Sequence, residues 1–466
     1  MNIFKIAYFT AVCAAYVQAF AAEPAAPLPL KISDKLRAEW DNSRIQEQIE
    51  SGIRANRMGS FKLEFSAPVS DVEAKLVRHD FLFGCNAFMA DGIRNEDGSV
   101  NADATEKYGS AFAKIFNYAT IAFYAADLEP EQGKYRFSKD SPYIFRRPPV
   151  DASLEFCGKY NLTPKGHCLV WVMASKYGTP AWVGEKRDRH FSRETTLKRI
   201  RDVAAAYGDK IKYWDVVNEA TSTNYSRINR DCFIFDDYVN ESFKEAQKVF
   251  PEDCVLINND DTSVWYEADK YDEVNKFFIM NRYLLAAGRK LDASGIQYHI
   301  FKDKEWADVL SGQIQTPAFF TKTLDVMARL NRPVHITEIT IPTKGPDGEE
   351  LQAYWVERIY KLWFSHPAVE AITWWNLADG TATGAQDNIN GGLLRKDFTP
   401  KKSYEALDRL INTDWTTCEK FEGKNRVVNF RGFYGTYKIT YVKDGKPETT
   451  TVRFSKGDCQ KVIVLK

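Results

Sequence analysis

Short apolar runs recur along the chain from Phe81 onward, each followed by an amphipathic stretch of helical length. Strands are predicted at Phe81–Cys85, Ile115–Phe123, Thr163–Val170, Tyr213–Val217, Val255–Asn258, Gly295–His299, Val334–Glu338 and Ala371–Asn376. Helical patterns lie between them, including Thr195–Tyr207, Asp236–Val249, Asn275–Ala287, Pro317–Leu330 and Leu351–Trp363. Parallel strands covered on both faces read as near-continuous hydrophobic runs, so eight such runs alternating with helices predict an α/β chain folded as a (β/α)8 TIM barrel. A doubly wound sheet would alternate in the same way, but no Gly-rich phosphate turn follows any of these runs.

The flanks follow other patterns. Lys31–Asn56 reads as a polar connecting segment with some helical periodicity. Ser60–Val77 alternates apolar and polar residues around Pro68, which predicts short strands. The barrel closes near Leu410, and Arg426–Lys466 sets Val427, Phe430, Phe433, Tyr437, Ile439 and Tyr441 among Gly and charged residues, as in a small antiparallel β appendage. The resulting organisation is a signal peptide over 1–22, a linker with a short β segment over 23–80, a catalytic barrel over 81–412 and the appendage over 413–466. The signal is read from Lys5, the apolar stretch Ile6–Phe20 and the small residues Ala19, Ala21 and Ala22. It predicts a secreted or periplasmic protein, and no later run is long and apolar enough to span a membrane.

Charge and composition narrow the partners. Lys+Arg and Asp+Glu are equal at 63 each, so the basic excess that a nucleic-acid backbone calls for is missing. A neutral polysaccharide needs no counter-charge, and it suits a chain that is 14% aromatic. The eight cysteines form no metal or redox motif, so no metal and no cofactor are expected. Cys418 and Cys459 bracket the last segment, and their pairing is left open. A monomer is expected.

Functional groups of a barrel of this kind sit at the C-terminal ends of its strands, and two predicted strands end in glutamate, Glu219 and Glu338. A charge placed directly after a buried run is costly unless paired or functional. One such residue is most simply an ion-pair partner; two on different strands point to a paired-carboxylate site.

Around these residues the sequence resembles glycoside hydrolase family 10, whose members include endo-β-1,4-xylanases. Trp214-Asp215-Val216-Val217-Asn218-Glu219 is similar to the family's acid/base segment and Ile336-Thr337-Glu338-Ile339 to its nucleophile segment. Gly166–Trp171, Gly295–His299, Ile372–Asp379 and Leu393-Leu394 with Pro400-Lys401 resemble further family motifs in the same order, so the resemblance covers roughly residues 81–410. It implies an endo-acting, retaining hydrolase of β-1,4-linked plant cell-wall polysaccharide, most simply xylan or decorated xylan. Glu219 would be the acid/base and Glu338 the nucleophile, the charge on Glu338 raising the pKa of Glu219. Asn218 would bind the sugar 2-hydroxyl, His299 would orient Glu338, and His167, Trp171 and Trp375 would contact the sugar. Alone, these histidines and tryptophans would read as core residues, as Trp214 and Trp374 do here. The sequence departs from the family on the non-reducing side: Ile121, Tyr124 and Val172 stand at positions of Asn, Lys and His, and a second Trp is missing near Thr383. The alternatives are another β-glycan or β-glycoside on the same machinery, and a barrel that binds carbohydrate without cleaving it.

Overall fold

A computed structural model describes residues 30–172, 178–221 and 234–465; the predicted signal, residues 1–22, lies outside them. The first strand, β1 (Met58–His79), stands outside a closed barrel. The barrel runs in sequence order through β2 (Leu82–Asn86), β3 (Tyr118–Ala122), β4 (Thr163–Trp171), β5 (Tyr213–Asn218), β6 (Val255–Asp260), β7 (Ala293–His299), β8 (Val334–Thr340) and β9 (Val369–Trp374). Each coincides with a predicted strand. The largest boundary difference is at β3, where Ile115 instead ends the preceding helix, Ala102–Ile115.

Burial explains the runs. Every residue of β3, β7 and β8 is buried, because interior side chains fill the barrel while helices cover its outside. Several of the helices begin where a side chain caps them. Thr316 accepts from the Phe319 amide at 3.3 Å and Pro317 fills the first turn of Pro317–Ala328, where its missing N–H is not needed.

The polar segment before β1 is ordered as two helices, Asp34–Trp40 and Ser43–Arg57. Their pattern is weak because only Leu36, Trp40, Ile49 and Ile53 are buried. Trp40 nonetheless anchors them: its ring meets Trp355 at 5.0 Å, and its indole N–H donates to the Gln315 carbonyl at 3.2 Å.

The two flanking β segments form one five-stranded sheet with β10 (Cys418–Phe433), β11 (Gly435–Lys443), β12 (Lys446–Phe454) and β13 (Gln460–Ile463). Strand β1 pairs antiparallel with β10 and β11 and parallel with β13. It runs unbroken past Pro68, which cannot donate to a ladder; the register shifts there and again beside Asp71, whose φ is 52°. These shifts keep Phe61, Leu63 and Phe65, then Val69, Val72 and Ala74, on buried positions. Phe61 packs against Phe430, Tyr434, Tyr437 and Phe454, stacking on the last at 4.4 Å. Phe61→Ala is therefore expected to destabilise the protein by about 3–5 kcal/mol in chemical denaturation, with loss of amide protection concentrated in β1 and β10.

The sheet docks where the barrel strands begin, opposite the end that carries the carboxylates. Trp415 stacks on Phe364 at 4.1 Å and on Phe83 at 5.8 Å. Arg57 donates to the carbonyls of Phe364, His366 and Val369, the last being the first residue of β9. Cys418 and Cys459 are both free thiols.

Candidate active site

All seven sequence-predicted site residues line one cavity of about 550 Å³, together with Tyr124, Asp261, Tyr266, Gln297, Phe301, Glu305 and Gln386 among others. His167 and Trp171 come from β4, Asn218 from the last position of β5, Glu219 from the residue after it, His299 from β7, Glu338 from β8 and Trp375 from just past β9. Strand register makes the contacts. Trp171 pairs with Asn218, Asn218 with Asn259, and Gln297 with Glu338 across neighbouring strands.

Gln297 is the hinge of the geometry. Its Nε2 donates to Glu219 Oε1 and to Glu338 Oε1, each at 3.0 Å. The same nitrogen also lies 3.4 Å from Asn218 Oδ1, and two acceptors each 3.0 Å from one nitrogen lie no more than about 6 Å from one another. The carboxyl oxygens therefore face each other with space for an anomeric carbon between them. Glu219 holds a left-handed φ of 54°, pinned by its own N–H on the Asn259 carbonyl at 2.8 Å. Its other oxygen accepts from the Trp171 indole at 3.0 Å.

Glu338 is held by several polar groups. It accepts from Asn259 Nδ2 at 3.2 Å as well as from Gln297, and His299 Nε2 lies 3.2 Å from its second oxygen. His299 Nδ1 meets the Thr340 hydroxyl at 2.9 Å, and burial pushes its pKa down to about 4. His299 is thus neutral at pH 7; in the tautomer that satisfies both contacts it donates to Glu338 and accepts from Thr340. On the other side, His167 Nε2 is 3.7 Å from Glu338 and its Nδ1 is 2.7 Å from Asp215, which also binds Lys165 at 2.7 Å. Burial alone would raise Asp215, but Lys165 and His167 outweigh it and leave its pKa below the ordinary value.

Both catalytic-type carboxyls titrate high. Burial, then the charge of Glu338, pushes Glu219 up to about 7. Burial also pushes Glu338 up to about 7, opposed by His167 and Lys165. The charge of Glu338 raises Glu219, whereas His167 and Lys165 oppose the rise of Glu338, so near neutrality the proton the pair shares is favoured on Glu219.

The profile of glycosyl hydrolase family 10 matches residues 95–409. The chain belongs to glycosyl hydrolase family 10. Anti-sigma-I factor RsgI6 of Acetivibrio thermocellus is 27% identical over 379 residues, covering 80% of this chain and 43% of that protein, so the chain spans less than half of that relative's length. Endo-1,4-beta-xylanase B of Thermotoga neapolitana is 27% identical over 322 residues, covering 66% of this chain and 84% of that protein. Among solved structures, native xylanase 10B of Thermotoga maritima shares the fold at a TM-score of 0.55 and 22% identity, over 72% of this chain and 96% of that one.

Several site residues of this family 10 chain escaped the sequence reading. Gln297 lay inside the quoted Gly295–His299 motif, and Asn259 one residue beyond a predicted strand; their position just before strand ends was the available signal. Lys165 stood beside the third-strand motif, and a lysine on a buried barrel strand is costly enough to imply a carboxylate partner. Of the positions that depart from the family, Tyr124 lines the cavity, whereas Ile121 and Val172 are buried in the main core and do not.

Proposed function

We propose that the chain hydrolyses β-1,4-linked xylan internally with retention of anomeric configuration, Glu338 attacking the anomeric carbon and Glu219 protonating the departing oxygen. The observation that carries this reading is the single Gln297 amide bridging both carboxylates. Retaining glycosidases need a carboxyl separation of about 5–5.5 Å, whereas inverting ones leave about 6.5–9.5 Å for a water molecule. In the first step the Glu338 carboxylate bonds to the anomeric carbon as the glycosidic C–O bond breaks, and the Glu219 proton passes to the leaving oxygen. The ester removes the charge that helped to hold Glu219 protonated, so Glu219 can now take a proton from water, whose oxygen displaces Glu338. Asn218, kept in place by Asn259 Nδ2 at 2.7 Å, is suited to meet the sugar 2-hydroxyl. Trp375 and Trp171 give the sugar an apolar wall beside His167.

Xylan as the substrate is supported by family membership and by relatives named as endo-1,4-beta-xylanases. The altered non-reducing side makes the range of accepted sugars the property to measure. Xylan, arabinoxylan, β-glucan and mannan should be compared for initial rate, with the anomer released followed by proton NMR. Xylan or arabinoxylan should be cut fastest, giving the β-anomer first; α-anomer first, or cleavage of β-glucan or mannan alone, would overturn the assignment. Residues 1–22 are read as a cleaved export signal, so the substrate is met outside the cytoplasm. Among the described residues no helix is long and apolar enough to cross a membrane.

A further inference from the structure

The non-reducing side of the cavity has lost polar residues along the sequence, and the structure offers a replacement. Ile121 and Val172 are buried among apolar neighbours, and Thr383 is exposed away from the cavity. Tyr124, His167, Trp171 and Trp375 pack on one another along the cavity, whose lining also includes the uncharged amide of Gln386. Tryptophan and tyrosine faces hold a sugar ring but discriminate poorly between hydroxyl patterns, so beyond the 2-hydroxyl given to Asn218 the Gln386 amide is a group able to read them.

We propose that Gln386 is a specificity-determining residue that donates through Nε2 to a hydroxyl of the glycone sugar, and that Arg146 and Asn376 position it; this rests on the reading given above. A guanidinium can only donate. Arg146 Nη1 donates to Asn376 Oδ1 and to the Thr381 carbonyl, and Asn86 Nδ2 also meets Asn376 Oδ1, at 3.3 Å. The Asn376 oxygen is thereby committed, so its amide nitrogen is the end that faces Gln386, which it meets at 3.2 Å. A donor there selects the Gln386 oxygen as its acceptor. The remaining end of the planar Gln386 amide carries two N–H groups, on a residue that lines the cavity. Amide orientation, usually ambiguous between O and N, is fixed here by a chain that begins at an obligate donor. Asn376 itself sits at φ 72° directly after Trp375, so one strand end delivers both the stacking platform and the relay.

The test uses the full-length protein and an aryl β-xylobioside, with the corresponding mono-deoxy compounds modified on the glycone sugars. Q386A is expected to raise KM by about 3- to 10-fold with a smaller change in kcat, the range of one neutral hydrogen bond. One deoxy compound, lacking the recognised hydroxyl, should give equal kcat/KM for the parent and Q386A. N376D keeps an acceptor for Arg146 but loses the donor to Gln386; it should raise KM as Q386A does, and the double variant should be no worse than Q386A alone. A Q386A kcat/KM within twofold of the parent, or the same penalty on every deoxy compound, would overturn the role of Gln386. Additive penalties in the double variant would overturn the relay. If the parent prefers another aryl β-glycoside, the xylan assignment falls, while the same ratios taken on that glycoside and its deoxy forms still decide the role of Gln386.

Discussion

Glu338→Ala is expected to lower kcat by at least about 10³-fold on every β-glycoside, polymeric or aryl, because no other group can form the covalent bond to the anomeric carbon. Glu219→Ala should divide substrates instead. With xylan, whose leaving sugar needs a proton, the loss should approach that of Glu338→Ala. With an aryl glycoside whose leaving group departs as a stable anion, the first step needs no acid, so the glycosyl-enzyme forms and accumulates, and a burst of released phenol precedes slow turnover. Pre-steady-state absorbance on both variants provides the measurement. Equal losses on xylan and aryl glycoside in Glu219→Ala would remove Glu219 from the acid/base role. Neither substitution introduces a new buried charge, and each removes a carboxyl that burial disfavours. The variants should therefore fold, and retained near-ultraviolet circular dichroism would show it.

The second large effect is on pH. Glu219 must carry its proton in the first step, and its pKa is pushed up to about 7. Above that value kcat/KM should fall about tenfold per pH unit as the acid is lost. Glu338 must be ionised, and burial raises it as well, so the acidic limb should begin near neutrality rather than in the ordinary carboxylate range. The bell is consequently narrow, and its two limbs belong to the coupled pair rather than to either residue alone. In Glu219→Gln, assayed on an activated aryl glycoside, the alkaline limb should vanish while the acidic one persists close to its place, because Glu219 is still protonated, and so uncharged, where Glu338 ionises. An alkaline limb that survives this substitution would assign it to another group.

The site was partly legible because chemistry that needs reactive groups at strand ends leaves a linear trace. Asn218-Glu219 and Thr337-Glu338 each follow an apolar run, and the motifs around His167, Trp171, His299 and Trp375 place those side chains on or just past β4, β7 and β9. What the trace omits is which polar residue bridges to which. Gln297 is as anonymous in sequence as any other glutamine; its role arises only when register sets β7 against β8 and barrel closure brings Glu219, just past β5, within reach of its amide. The relay from Arg146 through Asn376 to Gln386 joins a loop after β3 to two segments after β9, more than 200 positions along the chain. No local pattern could reveal it.

The same division holds for the whole molecule. Eight buried strands alternating with helices are written into the sequence because burial of parallel strands on both faces demands apolar residues at nearly every position, and that demand is local. The two carboxylates and their polar neighbours are written there too, since each stands at the boundary where an apolar run stops. Only tertiary structure decided that β1 and the C-terminal strands are one sheet, that Trp40 seats an otherwise polar segment, and that Ile121 and Val172 retire into the core while Tyr124 and Gln386 face the cavity. Those outcomes depend on pairings between distant segments, and their energies come from contacts that no stretch of sequence holds by itself.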